Sequence, residues 1–252
     1  MSNVQLSAVV LSQNEEKNLP RCLDSLKFAD EIVVVDALSE DESVKIARQY
    51  GARVMSRRWP GFSKQWQLAI DQARGEWIFM CAADEEVPPA LARELRAVIG
   101  GNPPESGSQV PRLSQFLGGW MRHGPWANDY QLRLFRRGAG IVTGQSVHEG
   151  VKLSSRPGRL DSPLLHYTHQ SLGESVTRLN RYTTLESMDR AGRRRISPFD
   201  FVISPLGVFF KYYLSKGCWR AGVRGFLLSA VTAIYKSVLY IKIYFLQRSR
   251  PV

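Results

Sequence analysis

The first hundred residues alternate short apolar, β-branched runs with segments of helical periodicity. Runs such as 4–12 and 31–36 have no helical period, which predicts strands that are buried on both faces. Strands separated by helices in this way form a mostly parallel sheet with right-handed crossovers. The chain is therefore predicted to be an α/β protein. The other predicted elements are strands at 52–55 and 76–81 and helices at 42–50, 62–74 and 88–99.

Polar and acidic side chains follow the predicted strands, at the edge of the sheet where ligands bind in such folds. Asp36 and Asp84 each follow an apolar strand; one aspartate there can simply make a turn, but the pair predicts a shared ligand site. Asn14 is expected to cap the first helix. The chain has no GxxxxGK[ST] or GxGxxG motif, so a bound nucleotide would need a divalent metal held by carboxylates. The residues of this group are Asn14, Glu15, Glu16, Asp36, Ser39, Asp41, Asp84 and Glu85.

The net charge of +11 belongs entirely to the last quarter of the chain. Residues 190–252 carry twelve basic residues and one acid, whereas basic and acidic residues balance before residue 190. Aromatic residues interleave with the basic ones, and the longest uncharged stretch, 225–235, is shorter than the roughly 18 residues of a membrane span. We therefore expect basic amphipathic helices that lie on an anionic membrane surface. Packing against protein is an alternative, and nucleic-acid binding is disfavoured because no recognition motif accompanies the charge.

Cysteine usage and the N-terminus indicate a reducing, cytoplasm-facing location. Cys22, Cys81 and Cys218 are far apart and form no CxxC pair, so we expect free thiols. The N-terminus shows no basic stretch followed by an apolar run, so no secretory signal is expected.

A series of short motifs occurs in a characteristic order and spacing. They are SAVVLSQNEE at 7–16, IVVVD at 32–36, FSKQ at 62–65 with GEWIF at 75–79, AADE at 82–85, NDYQLRLFRR at 128–137 and VHE at 147–149. Over residues 4–190 the chain resembles inverting family 2 glycosyltransferases with the GT-A fold. Within that family it is most similar to the lipopolysaccharide enzymes that add a β-1,4-glucose to an inner-core heptose.

The resemblance implies a mixed, mostly parallel GT-A sheet flanked by helices. Residues 1–100 would form the nucleotide-sugar half of the domain and 101–190 its acceptor-side half. Residues 191–252 would form the basic, membrane-associated tail. The segment 100–112 contains three prolines and is predicted to be the loop that joins the two halves.

The resemblance also implies a donor site with a divalent metal, Mg²⁺ or Mn²⁺. Asp84 matches the last aspartate of the family's DxD-type motif and would support the metal, with His148 as a further ligand or a structural residue. The usual string is DADE, so Ala82 removes the first carboxylate, which predicts weakened donor binding. The donor-binding residues implied in this way are Asn14, Glu16, Asp36, Lys64, Asp84 and Glu85.

Inverting transfer needs one carboxylate that takes the proton from the acceptor hydroxyl. Asp129 and Glu149 are the two candidates, and the sequence does not choose between them. Arginines on the predicted strand near 132–134 could contact acceptor phosphates through paired hydrogen bonds, or could lie in solvent. These arginines are Arg133, Arg136 and Arg137.

The sequence therefore predicts a hexosyltransferase on the cytoplasmic face of the inner membrane. It would move a sugar, glucose from UDP-glucose, to a lipid-linked glycan. A polyprenyl-phosphate sugar transferase is the alternative that shares the fold, and a weakened or non-catalytic scaffold is the alternative that Ala82 suggests.

Overall fold

A computed structural model describes residues 4–143, 150–168, 171–192 and 196–248, which form two compact units. The first unit comprises the chain up to Arg112 together with Tyr130–His166, and the second comprises Leu113–Asp129 and the chain from Tyr167 onward. The helices are α1 Leu19–Ser25, α2 Ser43–Gln49, α3 Phe62–Gln72, α4 Pro89–Gly100, α5 Leu172–Arg190, α6 Ile203–Phe210 and α7 Gly222–Arg248. The strands are β1 Leu6–Ser12, β2 Glu31–Asp36, β3 Arg53–Ser56, β4 Trp77–Ala82, β5 Glu85–Glu86, β6 Gly107–Phe116, β7 Gly119–Trp120, β8 Asp129–Arg136, β9 Gly140–Thr143, β10 Gly150–Leu153, β11 Gly158–Arg159 and β12 Leu164–His166.

The main sheet has the strand order β3-β2-β1-β4-β8-β6-β12-β5. Its first four strands are parallel, with Asp36 of β2 level with Ser12 of β1. β8 pairs antiparallel with β4, so the sheet is mixed beyond that strand. The α/β prediction is confirmed, and so are the four predicted strands of the parallel half.

The side chains of β1 are buried on both faces, which explains why its central residues 8–11 are all apolar. Ala8 and Val10 belong to a core that includes Leu23 of α1 and Leu91 of α4. Val9 points to the other face, into a second core that contains residues of α3. Helices therefore cover both faces of the parallel strands, and only the strand ends remain available for polar side chains.

Two local predictions are wrong. Asn14 does not cap α1, because that helix begins at Leu19 after Asn18, and the Asn14 side chain bonds to another loop. The segment 100–112 is not a loop throughout, because β6 begins at Gly107. A Cβ at Gly107 would lie 2.6 Å from the backbone oxygen of Leu134, so close strand packing, rather than a turn, accounts for this glycine.

The second unit consists mainly of helices, and α7 packs against α5 through polar contacts. The ammonium of Lys242 donates hydrogen bonds to Thr183 Oγ1 at 2.9 Å and to Thr184 Oγ1 at 2.7 Å. The Tyr235 hydroxyl donates to Glu186, and burial together with this carboxylate raises the pKa of Tyr235 well above its usual value. The C-terminal helix is therefore packed against protein along one side.

Residues of the C-terminal region also share a buried core with the segment near residue 120. Phe116, Met121, Cys218 and Leu228 form this core. The C-terminal region therefore contributes side chains to the buried core of the second unit. The three cysteines are free and buried, as expected.

Among the described residues, one helical stretch, Cys218–Arg248, has the length and apolar composition that a membrane span needs. The longest uncharged run, residues 225–235, is by itself shorter than a membrane span, whereas the whole helical stretch is long enough. The difference arises because isolated lysines interrupt an otherwise apolar helix. Length and composition alone fit a buried helix of a soluble protein equally well.

Candidate active site

The loops that follow β1 and β2 are held together by hydrogen bonds at the carboxyl edge of the sheet. The Asn14 backbone N–H donates to Ser39 Oγ at 2.8 Å, and the Asn14 side-chain oxygen accepts from the Glu40 N–H at 2.9 Å. Asp36, which is buried, accepts from the Ser39 N–H at 2.8 Å. Asn14 and Leu38 adopt positive φ angles of 54° and 58°. This pairing brings Asn14 and Asp36, two of the predicted donor residues, into one network.

Glu16 extends the same network. Its backbone N–H donates to Asp41 at 3.1 Å, and its carboxylate accepts from the Glu42 N–H at 3.2 Å. Burial opposes ionisation of Asp41, but hydrogen bonds from Ser43 and from the Glu16 N–H outweigh it and lower the pKa of Asp41. The Asp41 carboxylate is therefore held in its charged form, and it orders the backbone at the carboxyl edge of the sheet.

Glu85 is fully buried beside β4. Its carboxylate accepts from the Ala82 N–H at 2.7 Å and from the Arg133 guanidinium at 2.6 Å, while Arg112 lies 3.8 Å away. Arg133 is buried as well, so it does not lie in solvent. This ion pair fixes the turn that contains Asp84 to strand β8.

Asp84 lies close to a histidine that the sequence did not single out. The Nε2 atom of His166 is 3.4 Å from Asp84 Oδ2. Strand pairing explains this short distance: β12 pairs antiparallel with β5, which places His166 opposite Glu85, the residue next to Asp84. The only sequence signal was that His166 ends a short apolar strand, in the same way that Asp36 ends β2.

A carboxylate and an imidazole are suitable protein ligands for Mn²⁺ or a similar cation that is also bound by diphosphate oxygens. Asp84 and His166 are mostly buried, with side chains 9% and 13% exposed. No cluster of three His, Cys, Asp or Glu that could hold a metal alone occurs among the described residues. The pair therefore fits a metal shared with a substrate rather than a closed protein site.

The remaining predicted residues lie in different places. Lys64 is exposed in the first turn of α3. Arg136 stacks on Trp77 at 4.5 Å and bonds to Glu76, at the start of β4. The length of β4 separates Arg136 from Asp84, which follows the other end of that strand.

Arg137 neighbours Arg136 and is exposed. Asp129 is the first residue of β8 and is half-buried. His148 and Glu149 lie outside the described residues. The structure thus brings together Asn14, Glu16 and Asp36 in one network and Asp84, Glu85 and Arg133 in another.

The family model of Glycosyl transferase family 2 matches residues 7–151. The chain belongs to this family and is a glycosyltransferase with the GT-A fold. Over 247 residues it is 30% identical to the lipopolysaccharide core biosynthesis glycosyltransferase LpsC of Rhizobium meliloti, which covers 95% of this chain and 92% of the relative. An uncharacterized glycosyltransferase of Rickettsia felis is 25% identical over 246 residues, covering 91% and 86%.

Among solved structures, the chain is similar to the mannosyltransferase PcManGT from Pyrobaculum calidifontis in complex with GDP-Man and Mn²⁺. The TM-score is 0.53 with 14% identity, and the match covers 99% of this chain and 89% of that one. At this identity the likeness supports the fold alone.

Proposed function

We propose that this glycosyltransferase acts in the assembly of a lipopolysaccharide core. It transfers glucose from UDP-glucose to a heptose of a lipid-linked glycan, with inversion at the anomeric carbon. The observation that carries the acceptor class is the similarity to LpsC, which spans both units of the chain rather than the family motifs alone.

The donor half of the proposal rests on the carboxyl edge of the sheet. The paired loops of Asn14 and Asp36 form the wall against which the uridine would lie, and Lys64 would approach the diphosphate. Asp84 and His166 would hold a divalent cation, which supplies charge stabilisation to the departing diphosphate when it is bound. Glu85 would position Asp84 rather than contact the donor itself, because its hydrogen bonds to the Ala82 N–H and to Arg133 hold the turn that contains Asp84.

The acceptor half requires one general base. Asp129 or Glu149 would accept the proton of the acceptor hydroxyl as its oxygen attacks the anomeric carbon and the bond to UDP breaks. Inversion follows from this single displacement. Residues 1–100 would supply the donor site and 101–190 the acceptor side.

The proposal places the C-terminal region on the cytoplasmic face of an anionic membrane. On α6, Ile203, Leu206 and Phe210 follow helical spacing and are each more than half exposed. Such a row, within a segment that carries the entire charge excess, is typical of helices that lie in the interface.

The test is a transfer assay with full-length protein, Mn²⁺ and heptose-terminated lipopolysaccharide. We expect UDP-glucose, rather than UDP-galactose or GDP-mannose, to give a β-linked hexose on heptose, detected by mass spectrometry and NMR. Transfer to polyprenyl phosphate instead would overturn the acceptor class. Absence of both donor hydrolysis and transfer, with folded protein, would support the non-catalytic alternative that Ala82 suggests.

A further inference from the structure

A pocket in the second unit is lined by cationic side chains that the proposed reaction does not use. Its volume is about 350 Å³, and two separate segments of that unit line it. The segment near residue 125 contributes Arg122 and His123, and the segment before α7 contributes Lys216 and Arg220. No Asp or Glu is among its lining residues, so the charge that lines the pocket is positive.

Within the described parts of the chain, these cations form no ion pair with an acidic side chain. Among the described residues, no carboxylate lies within ion-pair distance of Arg122, Lys216 or Arg220. The interaction resolved for Arg220 is with the neighbouring Trp219 ring, 5.5 Å from its guanidinium carbon. Three permanent charges held around one cavity repel one another and favour an anion that bridges them.

Close packing of the two segments fixes the pocket. Gly124, at a φ of 92°, meets Cys218, and a Cβ added there would lie 2.6 Å from the Cys218 sulfur. Cys218 is itself part of the buried core with Phe116 and Met121. The cationic side chains therefore project from backbone that is anchored by the core of the unit.

The segment that supplies Lys216 and Arg220 also exposes large apolar side chains. Leu214 is 58% exposed and Trp219 is 53% exposed. Arginine and lysine around a cavity bind phosphate oxygens, and adjacent apolar side chains are suited to enter the acyl region of a bilayer. The anion that fits is therefore a phosphate group at the surface of a membrane.

We infer that the pocket of Arg122, Lys216 and Arg220 binds the phosphate of a membrane-borne molecule. That phosphate belongs either to a phospholipid headgroup or to the phosphorylated part of a glycolipid acceptor. The acceptor source rests on the proposed function, whereas the phospholipid source does not.

The first arm of the test measures binding without any donor. Full-length protein is titrated with phosphatidylcholine vesicles that contain or lack phosphatidylglycerol. The pocket variant carries Lys216→Gln and Arg220→Gln, and the matched control carries Lys211→Gln and Lys236→Gln, which remove the same charge outside the pocket. For a phospholipid source, the pocket variant should bind anionic vesicles about tenfold more weakly than the control, since both variants lose the same general attraction to the surface but only the pocket variant loses the cations that contact the phosphate.

The second arm measures transfer to detergent-dispersed lipopolysaccharide with its phosphates intact or enzymatically removed. For an acceptor source, the pocket variant should show a raised KM only for the phosphorylated acceptor, with kcat and vesicle binding like those of the control. Unchanged UDP-glucose hydrolysis separates this result from a failure of the proposed function. If the pocket variant matches the control in both arms, the pocket does not bind phosphate and the inference is overturned.

Discussion

His166 Nε2 lies 3.4 Å from a carboxylate oxygen of Asp84, and the two residues are 82 positions apart in sequence. Two very short strands bring them together, since β12 pairs with β5 directly after the Asp84 turn. Neither side chain is more than 13% exposed, so any charge that enters the site meets both of them with little competing water.

Asp84→Asn should abolish metal-dependent turnover, lowering kcat by about 100-fold or more, because the diphosphate loses charge stabilisation. His166→Gln should raise the Mn²⁺ concentration needed for half-maximal rate by about tenfold. Glu86→Gln is the matched control, since it changes a nearby acid in β5 that pairs instead with Arg21. Donor hydrolysis at several Mn²⁺ concentrations measures all three, and normal turnover by Asp84→Asn would remove that residue from the mechanism.

Ala82→Asp should restore the carboxylate of the usual DADE string and strengthen UDP-glucose binding, measured by calorimetry in the presence of Mn²⁺. Ala82→Asn is the control for side-chain size without charge. Equal affinities for all three proteins would show that this enzyme does not use position 82. The Ala82 N–H already donates to Glu85, so the backbone itself should not change.

The general base should be the residue whose amide variant loses sugar transfer but keeps its affinity for UDP-glucose. Asp129→Asn or Glu149→Gln, whichever removes the base, should keep UDP-glucose affinity while losing transfer by a factor of about 10² to 10⁴. The other amide variant serves as its comparison. An equal loss of donor affinity would instead assign the residue to the donor site.

Glu85→Gln should destabilise the protein by about 3 kcal/mol or more, because it leaves the buried Arg133 guanidinium without its charge partner. Replacing both residues, Glu85→Leu with Arg133→Leu, should recover much of that loss. Asp24→Asn, which removes an exposed ion pair with Lys27, should leave stability unchanged. Urea unfolding measures these differences, and an unchanged midpoint for Glu85→Gln would contradict a structural role.

Leu206→Ser with Phe210→Ser should weaken binding to anionic vesicles by about tenfold or more, because the variant has lost two large apolar side chains that would be buried in the membrane. Ile141→Ser in β9 is the control, since that residue is even more exposed than Leu206 and Phe210 but belongs to the first unit. Vesicle sedimentation measures the change, and added salt should weaken binding of every variant. Identical binding of the α6 variant and the control would place the membrane contact elsewhere.

The parallel half of the fold was predictable because its signals are local. The central residues 8–11 of β1 and 32–35 of β2 are apolar, and the polar edge begins at Asp36, which ends β2, and at Asp84, which follows β4. The contact between His166 and Asp84 was not predictable, because it depends on pairing between two-residue and three-residue strands far apart in sequence. The helix cap predicted for Asn14 was wrong for a similar reason, since its side chain accepts a hydrogen bond from Glu40 of a distant loop rather than from the nearest helix.

Asn14 donates to Ser39 and accepts from Glu40, and Ser39 also donates to Asp36, so the first two loops are held together as one rigid unit. Exchanging one of these loops with that of a related enzyme would break bonds on both, whichever loop was moved. Attempts to change nucleotide preference by grafting should therefore transplant both loops together. In a collection of natural relatives, the residues at these positions should change in concert rather than one at a time.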